Sequence, residues 1–513
     1  MTENLRAYIA ILVLSVPAFL LLRAPLTAYS IAPVDYRRRA LLWLLLTTFL
    51  FLSYNFWLFM LFAAIALAVG ARKDPDQLGF YFFVLLAAPP FQSGVSGFGD
   101  INRFIDLDYL RLLSLIILLP LSARLMTRSE TPGLFKLPTD KYVLAYLGLV
   151  LALHAPTTTG TNLMRMAFSQ FIDVVLPYYA FSRGLANLQR FRQVMASFVC
   201  MAAIVAAIAV FETLKGWLLY ASLPDFLDVS WGYGNYMGRG DGLRASVSTG
   251  HAIVLGYVLT VALGLNLGLK SVYPSNRSWW AVSLLLCAGI VASFSRGPWV
   301  GAAALLITAI LMGPSPWRRL AKVGALSVLT LPLLLLTSYG GKITALLPFV
   351  GNYDAGSVDY RQQLFTVSWQ VLMQSPMLGS PYYKGNAAMQ ELRQGEGIID
   401  MVNTYMGIAL ASGFVGLTLF CCAFASSGIR MFGYLAASKD KSDDSHVVGR
   451  ALLATMVGIL TTLATVSQVN AIPVIYWCMA GVWAAYVKFV RVQRSYLEPG
   501  HPLGGGSFQT AHP

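Results

Sequence analysis

Charge is scarce in this chain of 513 residues: Asp, Glu, Lys and Arg together supply 12%, about half the share of a soluble domain. With 57% hydrophobic residues and a mean hydropathy of +0.63, the chain has more apolar surface than a fold in water can bury. That excludes a soluble enzyme. Acidic residues are the rarer sign, 23 against 37 basic, and the formal net charge is +14. The basic residues do not gather in one patch, as a nucleic-acid binder requires; they punctuate loops between apolar runs. Cysteine is scarce too. Cys200, Cys287, Cys421, Cys422 and Cys478 all lie inside apolar runs and read as small hydrophobes, so neither a disulfide framework nor a metal-ligand spacing is present. The first apolar run, from Ala7 to Leu22, follows Arg6 and lacks a small-residue cleavage site. It reads as an uncleaved first segment.

What the chain has in abundance is apolar runs, each near the ~20 residues needed to cross a bilayer as a helix. They fall at 7–22, 40–53, 56–70, 79–91, 109–126, 142–155, 166–182, 194–214, 250–269, 279–294, 298–313, 321–339, 403–427, 450–467 and 472–490. Tyr54-Asn55 is either a turn between two spans or a kink within one. The expectation is an all-α polytopic membrane protein of about 14 (±1) transmembrane helices, and the same pattern excludes an outer-membrane barrel.

Basic clusters recur on alternate loops: Arg37-Arg38-Arg39, Arg72-Lys73, Arg124 with Arg128, Arg183 with Arg190 and Arg192, Arg318-Arg319 with Lys322, and Arg491 with Arg494. The positive-inside rule puts these in the cytoplasm, together with the C-terminus. Two long loops, 215–249 and 340–402, then face the periplasm. The expected organisation is N-terminal spans over 1–190, a catalytic membrane core over 191–430 that includes both loops, C-terminal spans over 431–495, and a disordered tail over 496–513.

Three arginines on the outer side stand out. Arg244 lies in Gly242-Leu243-Arg244-Ala245, at the entry to a span that begins near Gly250-His251. Arg296 sits in Ser295-Arg296-Gly297-Pro298-Trp299, in a tight turn between two spans. Arg361 opens the stretch to Trp369, where Leu364, Phe365, Ser368 and Leu372 share a helical face and Asp359 with Gln362 suggests a capping box. Guanidinium groups grip phosphate oxygens bidentately and stay charged at any relevant pH. Three of them on one side of a membrane point to a polyanion such as a lipid pyrophosphate. The competing explanation is interfacial anchoring by long basic side chains.

Ser295-Arg-Gly-Pro-Trp-Val-Gly301 resembles the Ser-Arg-Gly-X-X-X-Gly signature of the O-antigen ligase and O-antigen polymerase family. Arg361, Trp369 and Ser375-Pro376-Met-Leu-Gly379 are similar to that family's loop pattern. Arg244 with Gly250-His251 resembles its upstream arginine element, and Asn403-Thr-Tyr405 with Gly413-Phe-Val-Gly416 its span after the loop. The resemblance covers roughly residues 190–430. It implies a metal-independent glycosyltransferase of the GT-C kind, without cofactor, taking an undecaprenyl-pyrophosphate-linked glycan at the periplasmic face of the bacterial inner membrane. Arg244, Arg296 and Arg361 would hold the pyrophosphate; Asn403, Tyr405 and Trp369 would contact the substrate. The lipid bilayer, and a chain-length regulator or co-polymerase, are the implied partners; nucleic acid is not.

The family's ligases carry His immediately before the position of Asn403, where this chain has Val402. The acceptor's base therefore falls to Asp400, with Glu396 and His251 as alternatives. His154, just before Ala155-Pro156, reads as a span terminator, and Tyr382-Tyr383 as sugar-stacking or interfacial aromatics. A polymerase of exopolysaccharide or O-antigen repeat units is the expectation. A ligase with lipid A–core as acceptor, or a transporter or flippase with Asp173 as its clearest intramembrane charge, are the alternatives.

Overall fold

The apolar runs fold into helices that pack around a few members buried on every side. The computed structural model of the chain describes residues 3–28, 30–97, 103–229, 238–239, 242–335, 355–393, 399–438 and 440–497. Glu396, most of the tail over 496–513, and parts of both long loops lie outside the described residues. Helices α1 (Glu3–Thr27), α2 (Pro33–Leu52) and α3 (Phe56–Lys73) open the chain. Tyr54-Asn55 proves to be a turn: Tyr54 takes φ 51°, and the Asn55 side chain accepts from the Trp57 and Leu58 N–H groups to start α3.

The span expected at 79–91 is helical only in its first part. Helix α4 (Gln77–Val84) has 8 residues, and the chain continues without regular helix to Phe91, Leu86 O accepting from Ser248 Oγ at 2.7 Å. The α4 sequence is continuously apolar because Phe80, Tyr81, Phe82, Phe83 and Val84 are all fully buried. The chain then leaves as an antiparallel hairpin, β1 (Gln92–Ser96) against β2 (Arg103–Asp108). Helix α5 (Tyr109–Thr127) and α6 (Pro138–His154) follow, then α7 over 160–184. Helices α5 and α7 each carry one π-turn, at Ser114–Leu118 and Phe171–Val175. Asp173, in the second, pairs with Arg111 at 2.8 Å, so that intramembrane charge is half of an ion pair.

The remaining helices of more than four residues among the described residues are α8 (Leu188–Lys215), α9 (Ala252–Gly268), α10 (Asn276–Ala292), α11 (Arg296–Leu311), α12 (Pro316–Leu335), α13 (Ala355–Gln374), α14 (Thr404–Ala437), α15 (Asp444–Leu463) and α16 (Ala471–Leu497). The protein is an all-α membrane protein with, among the described residues, two short hairpins, the second pairing Gly238–Arg239 with Gly242–Leu243. Among the described helices, 7 are long and apolar enough to cross a membrane, and α9, α10 and α11 are shorter apolar helices.

Helix α9 is apolar all round because α8, α10, α11 and α15 surround it. Small residues permit the close approach, as expected between membrane helices. A Cβ on Gly256 would sit 2.9 Å from Pro298, and one on Gly264 only 2.3 Å from Thr455 Oγ1.

Polar groups collect at the two ends of this bundle. At one end Arg39 is clamped to Asp74 at 2.7 and 2.8 Å, Arg183 to Asp140 at 2.6 and 2.9 Å, and Arg192 to Asp444 at 2.7 Å. Burial makes breaking the first two pairs costly, ~3–5 kcal/mol each. Helix α8, with 28 residues, spans ~42 Å from this end to the other, where Arg244 and Arg296 lie.

Helix α14 is broken near its start. Gly413 takes φ 66° and ψ −172°, a conformation open essentially to glycine alone. The loop segment after α13 enters the break: Phe414 N–H donates to Pro376 O (2.8 Å), Val415 N–H to Met377 O (3.2 Å), and Ser380 N–H to Leu410 O (2.8 Å). The loop thus replaces helical hydrogen bonds that the break removes. Gly379 (φ 63°) lies opposite, and a Cβ there would meet Leu410 O at 2.5 Å, while one on Gly413 would meet Met377 O at 2.1 Å. Both obstacles are backbone and cannot rotate away. Gly413→Ala and Gly379→Ala are therefore expected to lower the melting temperature of the purified protein sharply, since each adds ~1–3 kcal/mol of backbone strain to the clash. Gly433→Ala, with nothing within 4 Å, should leave it unchanged; equal melting for all three would sink the account of the break.

Candidate functional site

The Ser-Arg-Gly-X-X-X-Gly stretch builds one wall of the site, and its glycines explain how. Gly297 and Gly301 lie one turn apart on α11, facing the end of α15. Cβ atoms there would meet Thr465 Oγ1 at 2.2 Å and Thr462 Oγ1 at 2.0 Å. Only glycine allows this contact, which sets Arg296, the first residue of α11, against the turn over 464–470. Phe294 is forced to φ 44° in the sharp reversal before it, the kind of strain that collects at functional sites. Ser295, the N-cap, does not use its side chain to cap α11. Its hydroxyl instead accepts from Arg244 Nη2 at 3.0 Å and donates to Ser293 O at 3.1 Å.

Arg244 is held in place from below. Glu212, fully buried near the end of α8, accepts from Leu219 N–H (2.9 Å) with one oxygen and from Ser246 and Val247 N–H (3.1 and 3.0 Å) with the other. Ala245 N–H donates to Ala292 O at 3.2 Å. These bonds pin the loop that carries Arg244 beside the Ser293–Ser295 turn.

His251 is the N-cap of α9, its Nδ1 accepting from Ile253 N–H at 3.2 Å. A neutral imidazole that accepts at Nδ1 carries its proton on Nε2, which makes it a donor there. Burial, and then the nearby Arg244 charge, pull its pKa down to about 4, opposed by Asp400. His251 is thus neutral at physiological pH, and Arg244 and Asp400 both act on it electrostatically.

Asp400 sits just before α14. Its Oδ1 accepts from Ser467 Oγ, and its carbonyl accepts from Tyr360 OH at 3.3 Å. Asn403 caps α14, accepting from Tyr405 and Met406 N–H at 3.0 and 3.2 Å. Tyr405 OH donates to Leu460 O at 2.8 Å, and Thr404 Oγ1 to Val466 O at 2.8 Å. Asn470 Nδ2 reaches Thr249 O at 3.0 Å. The turn over 464–470 therefore ties the starts of α9, α11 and α14 together. Three helix N-termini, each with partial positive charge, meet at the end of the bundle that carries Arg244 and Arg296.

Arg361 approaches from the loop. Helix α13 starts at Ala355, so Asp359 lies inside it and the expected capping box does not form; Leu364, Val371 and Leu372 are buried in a small core with Met401 and Leu410, whereas Phe365 is exposed. Arg361 lines a small open pocket with Val402, Asn403, Met406 and Thr465. Trp369 stands outside it, half exposed, its ring 6.5 Å from Phe365 and 6.4 Å from Phe414. Tyr382 OH donates to Thr157 O at 3.1 Å and its ring lies 6.3 Å from His154, which ends α6. Among the described residues no group of three or more His, Cys, Asp and Glu is placed to hold a metal ion.

Over residues 281–421 the chain matches the O-antigen ligase family. No curated protein matches it. The O-antigen ligase stretch takes in Arg296, Arg361, Trp369, Asp400, Asn403 and Tyr405, and stops short of Arg244, His251 and the 464–470 turn. Arg244 and the 464–470 turn join the matched stretch through the Arg244–Ser295, Asp400–Ser467 and Thr404–Val466 hydrogen bonds. Glu212, Ser467 and Asn470 escaped the reading of the sequence. Glu212 carried a signal, a lone carboxylate in an apolar run; Ser467 and Asn470 carried none, being common polar residues in a short turn.

Proposed function

We propose that the chain is a glycosyltransferase of the O-antigen ligase and polymerase type, and that it polymerises lipid-linked repeat units. The observation that carries this is the meeting of Arg244, Arg296 and three helix N-termini at one end of the bundle, within and beside the O-antigen ligase stretch. Fixed positive charge of that kind suits a pyrophosphate. The basic clusters at the opposite end support a periplasmic site in the inner membrane, a cytoplasmic C-terminus and a count near fourteen spans.

In this scheme the donor is a glycan on undecaprenyl pyrophosphate, and no metal takes part. Asp400 removes the proton of an acceptor hydroxyl as that oxygen attacks the anomeric carbon. The bond from that carbon to the pyrophosphate oxygen breaks, and its electron pair leaves on the pyrophosphate. Arg244, Arg296 and Arg361 meet the developing charge, which is electrostatic stabilisation by preorganised donors. Attack opposite the leaving group inverts the anomeric centre.

Val402 favours polymerisation over ligation, because the imidazole of the family's ligases is missing beside Asn403. The acceptor is then a second lipid-linked unit, with chain length set by a separate regulator. Purified protein supplied with lipid-linked repeat units alone, and no ion gradient, is expected to yield a ladder of products on a gel. Products that form only when lipid A–core is added would assign a ligase. Movement of the lipid-linked unit across vesicles without any new glycosidic bond would assign a transporter.

A further inference from the structure

The pocket beside Arg361 is lined by a buried polar group in an unusual setting. Ser368 lies two turns beyond Arg361 on the same face of α13, and both line the pocket together with Leu364, Val402, Met406 and Thr465. Ser368 is 0% exposed, and its Oγ has no hydrogen-bond partner among the described residues. A serine in a helix ordinarily turns its hydroxyl to the carbonyl four residues earlier. Thr366, two residues away, does so, donating to Gln362 O at 3.0 Å. Ser368 does not. A buried hydroxyl left without a partner costs stability and calls for an explanation, and alanine would fill the same space without that cost.

We propose that the pocket is a sugar-ring subsite and that Ser368 hydrogen-bonds a ring hydroxyl of the glycan whose pyrophosphate Arg361 engages. The walls fit a pyranose: Leu364, Val402 and Met406 offer apolar surface to its C–H face, while Ser368 and Thr465 offer hydroxyls to its edge. Arg361 holds the charged end of the ligand at the mouth, and Ser368 selects the sugar two turns further in. The inference rests on the reading of the donor as a lipid-pyrophosphate glycan.

The test is Ser368→Ala in the full-length protein in detergent, compared with wild type and with Thr366→Ala. The variant is expected to melt at or above the wild-type temperature without donor, because it loses an unsatisfied group. Its kcat/KM on lipid-linked repeat units should fall roughly 3- to 10-fold, the scale of one neutral hydrogen bond, and the thermal shift on adding donor should shrink. Thr366→Ala should change neither. Unaltered kcat/KM and donor-induced shift in Ser368→Ala would overturn the subsite, as would a lowered melting temperature without donor, which would make the hydroxyl structural. Failure of wild type itself to turn over these units would overturn the functional reading instead.

Discussion

Replacing Arg296 by Lys is expected to lower kcat/KM on a lipid-pyrophosphate-linked glycan by about 10²-fold or more, the scale of losing one donor aimed at developing charge. The substitution keeps the charge and removes the planar fork, so it separates bidentate grip from simple attraction. At this position the difference is severe. Arg296 begins α11 at a point where Gly297 and Gly301 press the helix onto Thr465 and Thr462, so the backbone cannot shift to bring a point ammonium to a second oxygen. Arg318→Lys, exposed at the start of α12 and far from the site, should leave turnover unchanged. An Arg296→Lys protein with wild-type turnover would mean that the arginine only anchors α11 at the membrane surface. A protein that melts earlier but turns over normally when folded would point the same way.

The helices were legible because each apolar run had to satisfy its backbone internally, and α8 to α11 fall close to where hydropathy places them. Where the sequence misled, burial was the reason. The run over 79–91 reads as one continuous helix, yet only its first part is helical, and its residues are apolar because protein surrounds them; hydropathy does not distinguish protein from lipid. Asp359 and Gln362 have the spacing of a capping box, but spacing cannot say where a helix starts, and α13 begins earlier.

The site was partly legible. Arg244, Arg296, Asp400 and Asn403 show in the sequence as charges and caps at span ends, since such groups are costly near a membrane and are kept for a purpose. What holds them together was not. The Glu212 bonds to the Arg244 loop and the turn over 464–470 join positions more than thirty residues apart, and no periodicity carries that information. His251 changes in meaning as well: its conspicuous place before a span reflects its work as the cap of α9.

That change bears on the base, and Asp400→Asn is expected to lower polymer formation ~10²-fold or more, with donor binding little altered. Asparagine keeps the shape of the side chain and an oxygen that accepts from Ser467 Oγ, as Asp400 Oδ1 does, so the segment before α14 should hold its position. Only the ability to take a proton is lost. His251 is poorly suited to that task. Its Nδ1 lone pair is committed to Ile253 N–H, its proton therefore sits on Nε2, and its pKa near 4 leaves it a weak base. His251→Asn gives the matching control, because asparagine is among the best N-cap residues and preserves the start of α9 while removing the imidazole. It should cost much less than Asp400→Asn, and donor-dependent thermal shifts should persist in both variants. If the two losses are reversed, the imidazole moves the proton after all and Asp400 serves to orient it. If neither variant loses activity, the acceptor hydroxyl needs no base from these residues, and the arginines carry catalysis through the departing pyrophosphate.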